Sequence, residues 1–208
     1  ALVLAAPAGA TTVLIDFEAF DGTPGLGWNM IDAADSGSVI DLLDDTGIDS
    51  GWDLTMPTVT NNAGVFDAWN DANALPAWAP DSAADDYVYF NLTNTNFDFT
   101  GLDPLLTYDI DIVVSRDLSR SQDHRIVVPG PDPTVNNWDS QTDGYTAGNT
   151  IRFTGITPDL AGRIRLRIHR DGTSAALNAI RIVSVPGPPG ALLVASSVAL
   201  LAVAVRRR

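Results

Sequence analysis

Three tryptophans lie in polar, loop-forming stretches of the sequence, where an indole ring could bind a sugar. Trp69, Trp78 and Trp138 are surrounded by Asn, Asp and Pro, which favour turns and loops over strands. The flat face of an indole packs against the C–H face of a pyranose, and a polar side chain such as Arg116 can bond its hydroxyl groups. The alternative is that these rings close the ends of the folded domain, as apolar plugs without a ligand.

A second candidate site is an acidic turn. Residues 44–49, Asp-Asp-Thr-Gly-Ile-Asp, gather the carboxylates of Asp44, Asp45 and Asp49 around one glycine. Hard oxygen ligands on a flexible loop suit Ca²⁺, although the segment lacks the closing Glu of a twelve-residue EF-hand loop. The alternative is a solvated acidic turn without a metal ion. Calcium is therefore the one cofactor that the sequence suggests.

Known catalytic motifs are absent from the sequence. The chain has no cysteine and no lysine, which excludes thiolate nucleophiles, thiolate metal sites, Schiff bases and Walker-type phosphate loops. His124 follows Ser-Gln-Asp, but no Gly-x-Ser-x-Gly elbow accompanies it, and His169 falls on the polar side of a predicted strand. The chain has so many acidic residues that two of them lying close together in sequence do not identify the catalytic carboxylate pair of a glycoside hydrolase. We therefore expect a protein without enzymatic activity.

The charge of the chain restricts its partners. The formal net charge is −14, with 26 acidic residues against 12 basic ones. Such a surface repels the phosphates of nucleic acids. It is compatible with calcium or with neutral sugars.

The elements that must position these residues are short strands, of which two alternate most clearly. The residues predicted to face the core are Tyr108, Ile110, Ile112 and Val114 in the first strand and Ile164, Leu166 and Ile168 in the second. Their polar faces carry Asp109 and Asp111 in the first strand and Arg163, Arg165, Arg167 and His169 in the second. Because one polar face is acidic and the other basic, we expect the two faces to be complementary, with the strands as neighbours in one sheet and Asp111 and Arg165 therefore on the same sheet.

The strand pattern also predicts the fold class. The repeat Phe-Thr-Gly-Leu/Ile-x-Pro-x-Leu begins at Phe99 and again at Phe153. Each copy leads into one of the two alternating strands. Ten or eleven short strand-like segments, separated by turn residues, run from Thr12–Phe17 to a final strand at 176–183. The sequence predicts an all-β fold, a two-sheet antiparallel β-sandwich over residues 11–184, with Trp28 and Trp52 in its core.

Both ends of the sequence are expected to be export signals rather than parts of this fold. Residues 1–10 are expected to be the end of a signal peptide, with Ala-Gly-Ala at 8–10 as the cleavage site. Residues 191–205 form an uncharged apolar run whose helix would span roughly 22 Å, short of the roughly 30 Å hydrocarbon core. A transmembrane helix there requires the terminal arginines to snorkel and the bilayer to thin. Those arginines predict a cytoplasmic C-terminus, with the rest of the chain outside.

The tail at 185–208 resembles the PEP-CTERM sorting signal of exported Gram-negative proteins. The resemblance is carried by a proline motif at 185–190, the apolar run at 191–205 and a closing arginine cluster. The motif residues are Val185, Pro186, Gly187 and Pro188, and the cluster is Arg206, Arg207 and Arg208. Gly187 stands where the family usually has glutamate. The resemblance implies transient anchoring in the inner membrane, processing by an exosortase-type enzyme, and delivery to the cell surface or an exopolysaccharide matrix.

The remaining chain resembles the galactose-binding-like jelly roll. The resemblance is carried by Leu-Ile-Asp-Phe at 14–17, Trp28-Asn29, Leu-x-Asp-x-Gly at 43–47, the repeat at 99–104 with Tyr108, Ser115-Arg116, and residues 177–182. It implies a carbohydrate-binding or accessory module, frequently with structural calcium. The predicted function is an exported, non-enzymatic surface or matrix protein that binds carbohydrate. The alternatives are a structural matrix or adhesion protein with protein partners only and, third, a hydrolase or esterase accessory domain.

Overall fold

The computed structural model describes residues 9–17, 25–58, 61–62, 76–83, 88–90, 92–113, 122–127, 135–139, 150–170 and 175–186. These residues form fourteen strands, rather than the ten or eleven predicted, and two single-turn 3-10 helices at Ala33–Asp35 and Asp81–Ala83. The strands are β1 (Thr12–Phe17), β2 (Trp28–Ile31), β3 (Val39–Leu43), β4 (Asp49–Thr55), β5 (Asn61–Asn62), β6 (Val88–Phe90), β7 (Asn94–Thr100), β8 (Thr107–Val113), β9 (Gln122–Val127), β10 (Val135–Asp139), β11 (Thr150–Ile156), β12 (Ile164–Arg170), β13 (Ala175–Leu177) and β14 (Ala179–Val185).

The strands are arranged in two large sheets and one small one. The first sheet has the order β11-β8-β14-β1-β2 and the second has the order β10-β9-β12-β7-β4-β3. A three-stranded sheet, β13-β6-β5, stands beside them. Among the described strands every pairing is antiparallel except that of β1 with β2, which is parallel. The predicted all-β class is confirmed, and the fully antiparallel arrangement is corrected at β2.

The two large sheets pack face to face over one hydrophobic core. Phe17 of β1 meets Phe97 of β7 edge to face, with ring centroids 5.5 Å apart. Trp52 of β4 meets Tyr108 of β8 in the same way at 5.4 Å, and Trp52 is buried as predicted. Such edge-to-face pairs add to the free energy gained by burying the rings. These contacts make the two sheets a β-sandwich.

Period-two alternation correctly predicted which residues of two strands face this core. Tyr108, Ile110 and Ile112 of β8 are buried, as are the three apolar residues predicted for β12: Ile164, Leu166 and Ile168. The fourth candidate of the first strand, Val114, lies outside the described residues. A pleated strand with one apolar side must place that side on the core, so this prediction needs only local information.

The predicted pairing of the acidic strand with the basic strand is wrong. Asp111 belongs to β8 in the first sheet and Arg165 to β12 in the second, so the two residues lie on opposite layers. Each finds its partner within its own sheet: Asp111 pairs with Arg181, and Arg165 pairs with Asp98. Asp111 also differs from the prediction in being 2% exposed, rather than solvated.

The predicted single final strand is interrupted at Asn178. Residues before it form β13 in the small sheet, and residues after it form β14 in the first large sheet. The backbone of Asn178 bridges the ends of two other strands, because its carbonyl accepts a hydrogen bond from Phe17 N at 2.7 Å and its N–H donates to Val113 O at 3.2 Å. The chain therefore changes sheet at a residue whose backbone groups remain satisfied.

Asn29 closes one edge of the sandwich. Its side-chain amide donates to the carbonyl of Leu14 at 2.9 Å and to that of Leu43 at 2.8 Å, while its Oδ1 accepts the N–H of Leu43 at 2.8 Å. Leu14 belongs to the first sheet and Leu43 to the second. One buried amide thus joins the two layers where β2 and β3 form their edges.

The predicted export signals lie almost entirely outside the described residues. Within the described part of the chain, no helix is long and apolar enough to cross a bilayer. Residues 1–8 and 187–208 are outside it, which includes the predicted membrane helix, Gly187, Pro188 and the arginine cluster. Val185 is the last residue of β14, paired with Thr107, and Pro186 follows it as an exposed residue.

Candidate functional site

A row of five residues, one from each strand, crosses the outer face of the first sheet. The residues that stand in register are Arg152 in β11, Asp111 in β8, Arg181 in β14, Leu14 in β1 and Trp28 in β2. Their neighbours along each strand, such as Ile112 and Ile180, point into the core, so the row faces outward. We call these five residues the outer row.

Charged groups occupy one half of the outer row. Arg181 Nε lies 2.9 Å from Asp111 Oδ2, and Arg181 Nη2 donates to the same oxygen. Arg152 Nε lies 3.3 Å from Asp111 Oδ1, and Arg152 Nη2 lies 3.6 Å from Asp109 Oδ2. Both oxygens of Asp111 are therefore paired with guanidinium groups, which allows a carboxylate to be buried. Asp109 lies outside the outer row, two residues before Asp111 on β8, and together these two aspartates balance the charges of Arg152 and Arg181.

Tryptophan rings occupy the other half. Trp28 and Trp78 are stacked, with ring centroids 6.3 Å apart and an interplanar angle of 20°. The Arg181 guanidinium carbon lies 5.1 Å from the centroid of Trp78, within the range of a cation–π interaction. Both indoles are half-buried. Trp28 thus lies on the outer face and not in the main core, where the sequence predicted it.

The segment at residues 76–83 carries Trp78 onto the sheet. Two turns shape it, with Ala79 N donating to Pro76 O at 2.9 Å and Ala83 N donating to Pro80 O at 3.0 Å. Ala79 and Ala83 pack on Val113 and Ala179, a small apolar cluster on the outer face that Trp28 and Trp78 border. Asp111, two residues before Val113 on the same face of β8, is also buried, and both of its oxygens are paired with guanidinium groups.

The arrangement presents aromatic surface beside planar hydrogen-bonding groups. The side chain of Arg152 is 56% exposed, and that of Asp109 is 24% exposed. Indole faces bind the C–H face of a sugar ring, and guanidinium and carboxylate groups bind its hydroxyls. Because the charges of the site cancel, the ligand that fits it best is neutral.

Of the other predicted sugar-binding residues, the structure describes only the backbone position of Trp138. Trp69 and Arg116 lie outside the described residues. Trp138 belongs to β10 at the edge of the second sheet, opposite His124 of β9, so it lies on a strand and not in the loop predicted for it. Of the two predicted tryptophans that the structure describes, Trp78 joins the outer face of the first sheet and Trp138 belongs to the second sheet.

The acidic turn is a hydrogen-bonded hairpin. Asp44 Oδ1 accepts three hydrogen bonds, from Thr46 N at 2.9 Å, Thr46 Oγ1 at 2.6 Å and Ile48 N at 3.0 Å. These bonds, led by that of the Thr46 hydroxyl, hold the pKa of Asp44 below its usual range. Asp49 Oδ1 accepts a bond from Gly51 N at 2.8 Å. Asp44 and Asp49 therefore shape the connection between β3 and β4.

The same carboxylates do not assemble a metal site by themselves. Across the described residues, which include Asp44, Asp45 and Asp49, no group of three or more acidic or histidine side chains has the geometry to hold a metal ion. The backbone N–H of Asp45 donates a hydrogen bond to Thr12 O at 2.9 Å, outside the turn. Calcium binding at this turn stays a prediction, which comparison of melting temperatures with and without EDTA tests.

A polar ladder that was not predicted from the sequence lies on the outer face of the second sheet. Arg165 binds Asp98 with two bonds, Nε to Oδ1 at 2.5 Å and Nη2 to Oδ2 at 2.6 Å, and these bonds raise the pKa of Arg165. The next two positions of β12 continue the pattern, with Arg167 Nε to Asn96 Oδ1 at 2.9 Å and His169 Nδ1 to Asn94 Oδ1 at 3.0 Å. The alternation of Asn, Asn and Asp at 94, 96 and 98 was the signal available for it.

The same face carries a pair of acids. Asp41 of β3 stands opposite Asp53 of β4. Partial burial of Asp53 and its hydrogen bond with the Asp41 carboxyl raise the pKa of Asp53. Two carboxyl groups this close resist being ionised together.

Comparisons with known proteins give structural similarity only. No protein-family profile matches the chain, and no curated protein sequence matches it significantly. Among solved structures, the ANXUR1 extracellular domain from Arabidopsis thaliana is 12% identical, with a TM-score of 0.46, and the match covers 84% of this chain and 48% of that one. TmCBM61, solved in complex with beta-1,4-galactotriose, is 13% identical with a TM-score of 0.30, covering 48% of this chain and 74% of that one.

A third solved structure is an enzyme, the Bacteroides uniformis beta-glucuronidase 2. It is 13% identical with a TM-score of 0.37, and the match covers 74% of this chain but 19% of that one. The chain thus spans about half the length of the ANXUR1 domain and a smaller share of the glucuronidase. At these scores the assignment of a β-sandwich depends on the strand pairing and core described above.

Proposed function

We propose that this protein is an exported, non-enzymatic module that binds a neutral carbohydrate on the outer face of its first sheet. The binding residues are Trp28, Trp78, Arg152 and Arg181. The observation that carries the proposal is the position of the two half-buried, stacked indoles beside the Asp111–Arg181 ion pair. Aromatic surface and planar polar groups are the two components that sugar recognition requires.

The geometry supports binding because the polar groups are held in place before a ligand arrives. Asp111 binds Arg181 and Arg152, and Trp78 packs on Arg181, so these long side chains have little rotamer freedom left to lose. Arg152 is the most exposed member and supplies N–H donors on the side of Asp111 that faces away from the tryptophans. The balanced charge disfavours anionic ligands over neutral sugars.

We further propose that the tail sorts the protein to the cell surface or an extracellular matrix. An exosortase-type enzyme would process it at the motif beginning with Val185, after transient anchoring of residues 191–205 in the inner membrane. The end of β14 at Val185 and the exposed Pro186 support a boundary between domain and tail at this point. The carbohydrate partner would then be a polysaccharide of the surface or matrix.

A glycan array probed with the purified protein tests the binding proposal. We expect saturable binding to a neutral glycan and a loss of up to roughly tenfold in affinity for Trp78→Ala, since one aromatic contact contributes about 0.5–1.5 kcal/mol and tenfold in affinity corresponds to about 1.4 kcal/mol. Arg152→Gln removes an exposed side chain without disturbing the core, and we expect several-fold weaker binding. Arg167→Gln, on the outer face of the second sheet, is the matched control and should bind as the wild type does.

The array also separates the competing functions. Clean negatives from a folded sample would overturn carbohydrate binding and favour a structural matrix or adhesion protein with protein partners only. Binding that Arg167→Gln abolishes and Arg152→Gln leaves intact would move the site to the second sheet. Repeating the array in EDTA tests calcium, because loss of binding on chelation would connect the metal to the sugar.

A further inference from the structure

One end of the sandwich collects the loops that surround the exit of the C-terminal tail. β14 ends there, with Val185 opposite Thr107 at the start of β8. The strand directions place four loops at the same end. One loop precedes β2, and the other three connect β3 to β4, β7 to β8 and β11 to β12. We call this the tail end; its loops are residues 25–27, 44–48, 101–106 and 157–163.

The tail end carries the most exposed large apolar side chains of the described residues. They are Leu160 at 98% exposure, Leu26 at 94%, Leu105 at 77% and Ile48 at 65%, one from each loop. Val39 and Leu92, at 64% and 47%, lie at the opposite end because their strands run toward the tail end. Single exposed leucines are ordinary on a protein surface, but four separate loop tips at one end indicate an interaction surface.

These loops are fixed by hydrogen bonds within the tail end. Leu102 N donates to Gly162 O at 3.1 Å, which joins the 101–106 loop to the 157–163 loop. The buried Tyr108 hydroxyl accepts the N–H of Asp103 at 2.8 Å, and Asp45 N binds Thr12 O at 2.9 Å. The three loops that carry Ile48, Leu105 and Leu160 are therefore held by ordered turns.

The chain that leaves this end is short before it becomes apolar. Four residues, 187–190, separate Pro186 from Ala191, where the uncharged run of 191–205 begins. Even fully extended, this connection spans only about 17 Å, at roughly 3.3–3.6 Å per residue. When residues 191–205 are in a bilayer, this connection keeps the tail end within about 17 Å of the start of the apolar run.

We propose that the tail end docks on a zwitterionic lipid surface through Leu26, Ile48, Leu105 and Leu160 while the tail anchors the protein. The proposal rests on the membrane anchoring proposed above. Apolar side chains enter the interfacial zone of a bilayer, and the strength of binding follows the apolar area inserted together with the charge of the headgroups. The acids of the tail end, among them Asp45, Asp103 and Asp159, disfavour anionic headgroups; Arg163 is paired with Asp159 at 3.0 Å.

Single-cysteine labelling of the full chain tests this proposal, because the natural sequence contains no cysteine. The substitutions Leu105→Cys and Leu160→Cys place an environment-sensitive NBD label at the tail end, and Val39→Cys and Leu92→Cys place it at the opposite end. Each protein is reconstituted into phosphatidylcholine vesicles that contain doxyl-labelled lipid. We expect quenching at 105 and 160 to exceed that at 39 and 92 at least about twofold, since interfacial apolar groups lie within the quencher's depth.

The outcomes separate this proposal from the anchoring on which it rests. Flotation with the vesicles reports the anchor, and quenching reports the docking. A chain that floats but shows equal quenching at all four positions would overturn docking and leave the anchor standing. A chain that does not float overturns both. A label at 105 that responds to protein concentration in detergent, and not to doxyl lipid, shows that a second copy of the chain covers the tail end instead.

Discussion

Asp111 of β8 and Arg181 of β14 form an ion pair that Trp78 covers from the outer side of the sheet. The carboxylate is 2% exposed and the guanidinium side chain is 25% exposed. Asp111 points away from the sandwich core, yet it is buried, with both carboxylate oxygens paired to guanidinium groups and the 76–83 segment packed on the nearby Val113 and Ala179. A paired charge in such a place makes removal of its partner costly, because the remaining charge stays buried.

Loss of Arg181 should therefore destabilise the fold more than loss of a comparable exposed arginine. We expect Arg181→Leu to lower the free energy of unfolding by about 2–3 kcal/mol, because Arg152 remains beside Asp111 but pairs with it at the longer distance of 3.3 Å. Arg165→Leu is the matched control, because its pair with Asp98 is about 30% exposed on each side and should contribute at most about 1 kcal/mol. Urea unfolding measures both. Equal losses would show that burial of Asp111 has no energetic consequence.

Trp78 should be energetically coupled to Arg181. The ring lies 5.1 Å from the guanidinium carbon and shields the ion pair. A double-mutant cycle of Trp78→Ala and Arg181→Leu should give a coupling energy of about 1 kcal/mol, since each single variant already disrupts the shared contact. The double-mutant cycle of Trp78→Ala with Arg152→Gln is the reference and should give a smaller coupling energy. Strict additivity at Trp78 and Arg181 would contradict the cation–π assignment.

Local patterns predicted the inward faces of β8 and β12 but not the partners of their outward residues. Alternation is a property of one strand, so Tyr108, Ile110 and Ile112 could be placed in the core without knowing the topology. The partner of Asp111 is 70 residues away in sequence, and that of Arg165 is 67 residues away. Such pairs depend on the order of strands in each sheet, which complementary charge alone does not determine.

The candidate site was predictable only in part for a related reason. Trp78 was selected because it lies in a polar, irregular stretch, and the structure places it beside Trp28 on the outer face. Trp28 was assigned to the core because it lies in a strand. A strand residue on the outer face becomes half-buried only when another segment covers it, and residues 76–83 show no periodicity that reveals such packing.

The two copies of the Phe-Thr-Gly repeat should respond differently to the same substitution. Gly101 has φ of +77° and Gly155 has φ of +67°, so alanine is strained at both. A Cβ at Gly101 would lie 2.2 Å from Gly51 O, whereas nothing lies within 4 Å of a Cβ at Gly155. We expect Gly155→Ala to cost about 1–2 kcal/mol from the backbone alone, and Gly101→Ala to cost more because the 101–106 loop must move. Thermal unfolding measures the difference, and similar melting temperatures would contradict it.

Neutralising Asp41 should stabilise the protein near pH 7 and lose this effect in acid. The pKa of Asp53 is raised above its ordinary value of 3.8 by burial and by the carboxyl of Asp41. The folded state therefore holds its proton more tightly than the unfolded state. That contribution is fully present below pH 3.8 and is lost as the pH rises through the raised pKa. At pH 7 the like charges of the pair oppose folding, and Asp41→Asn should recover about 0.5 kcal/mol.

The melting temperature as a function of pH checks this expectation. The gain for Asp41→Asn corresponds to roughly 1–2 °C at pH 7 and should shrink toward zero below about pH 4. Asp45→Asn is the matched control, because it removes an exposed acid from the hairpin turn and reports the general benefit of reducing a net charge of −14. A gain for Asp41→Asn that equals the control, or that persists at pH 3, would show that the pair does not share a proton in the folded state.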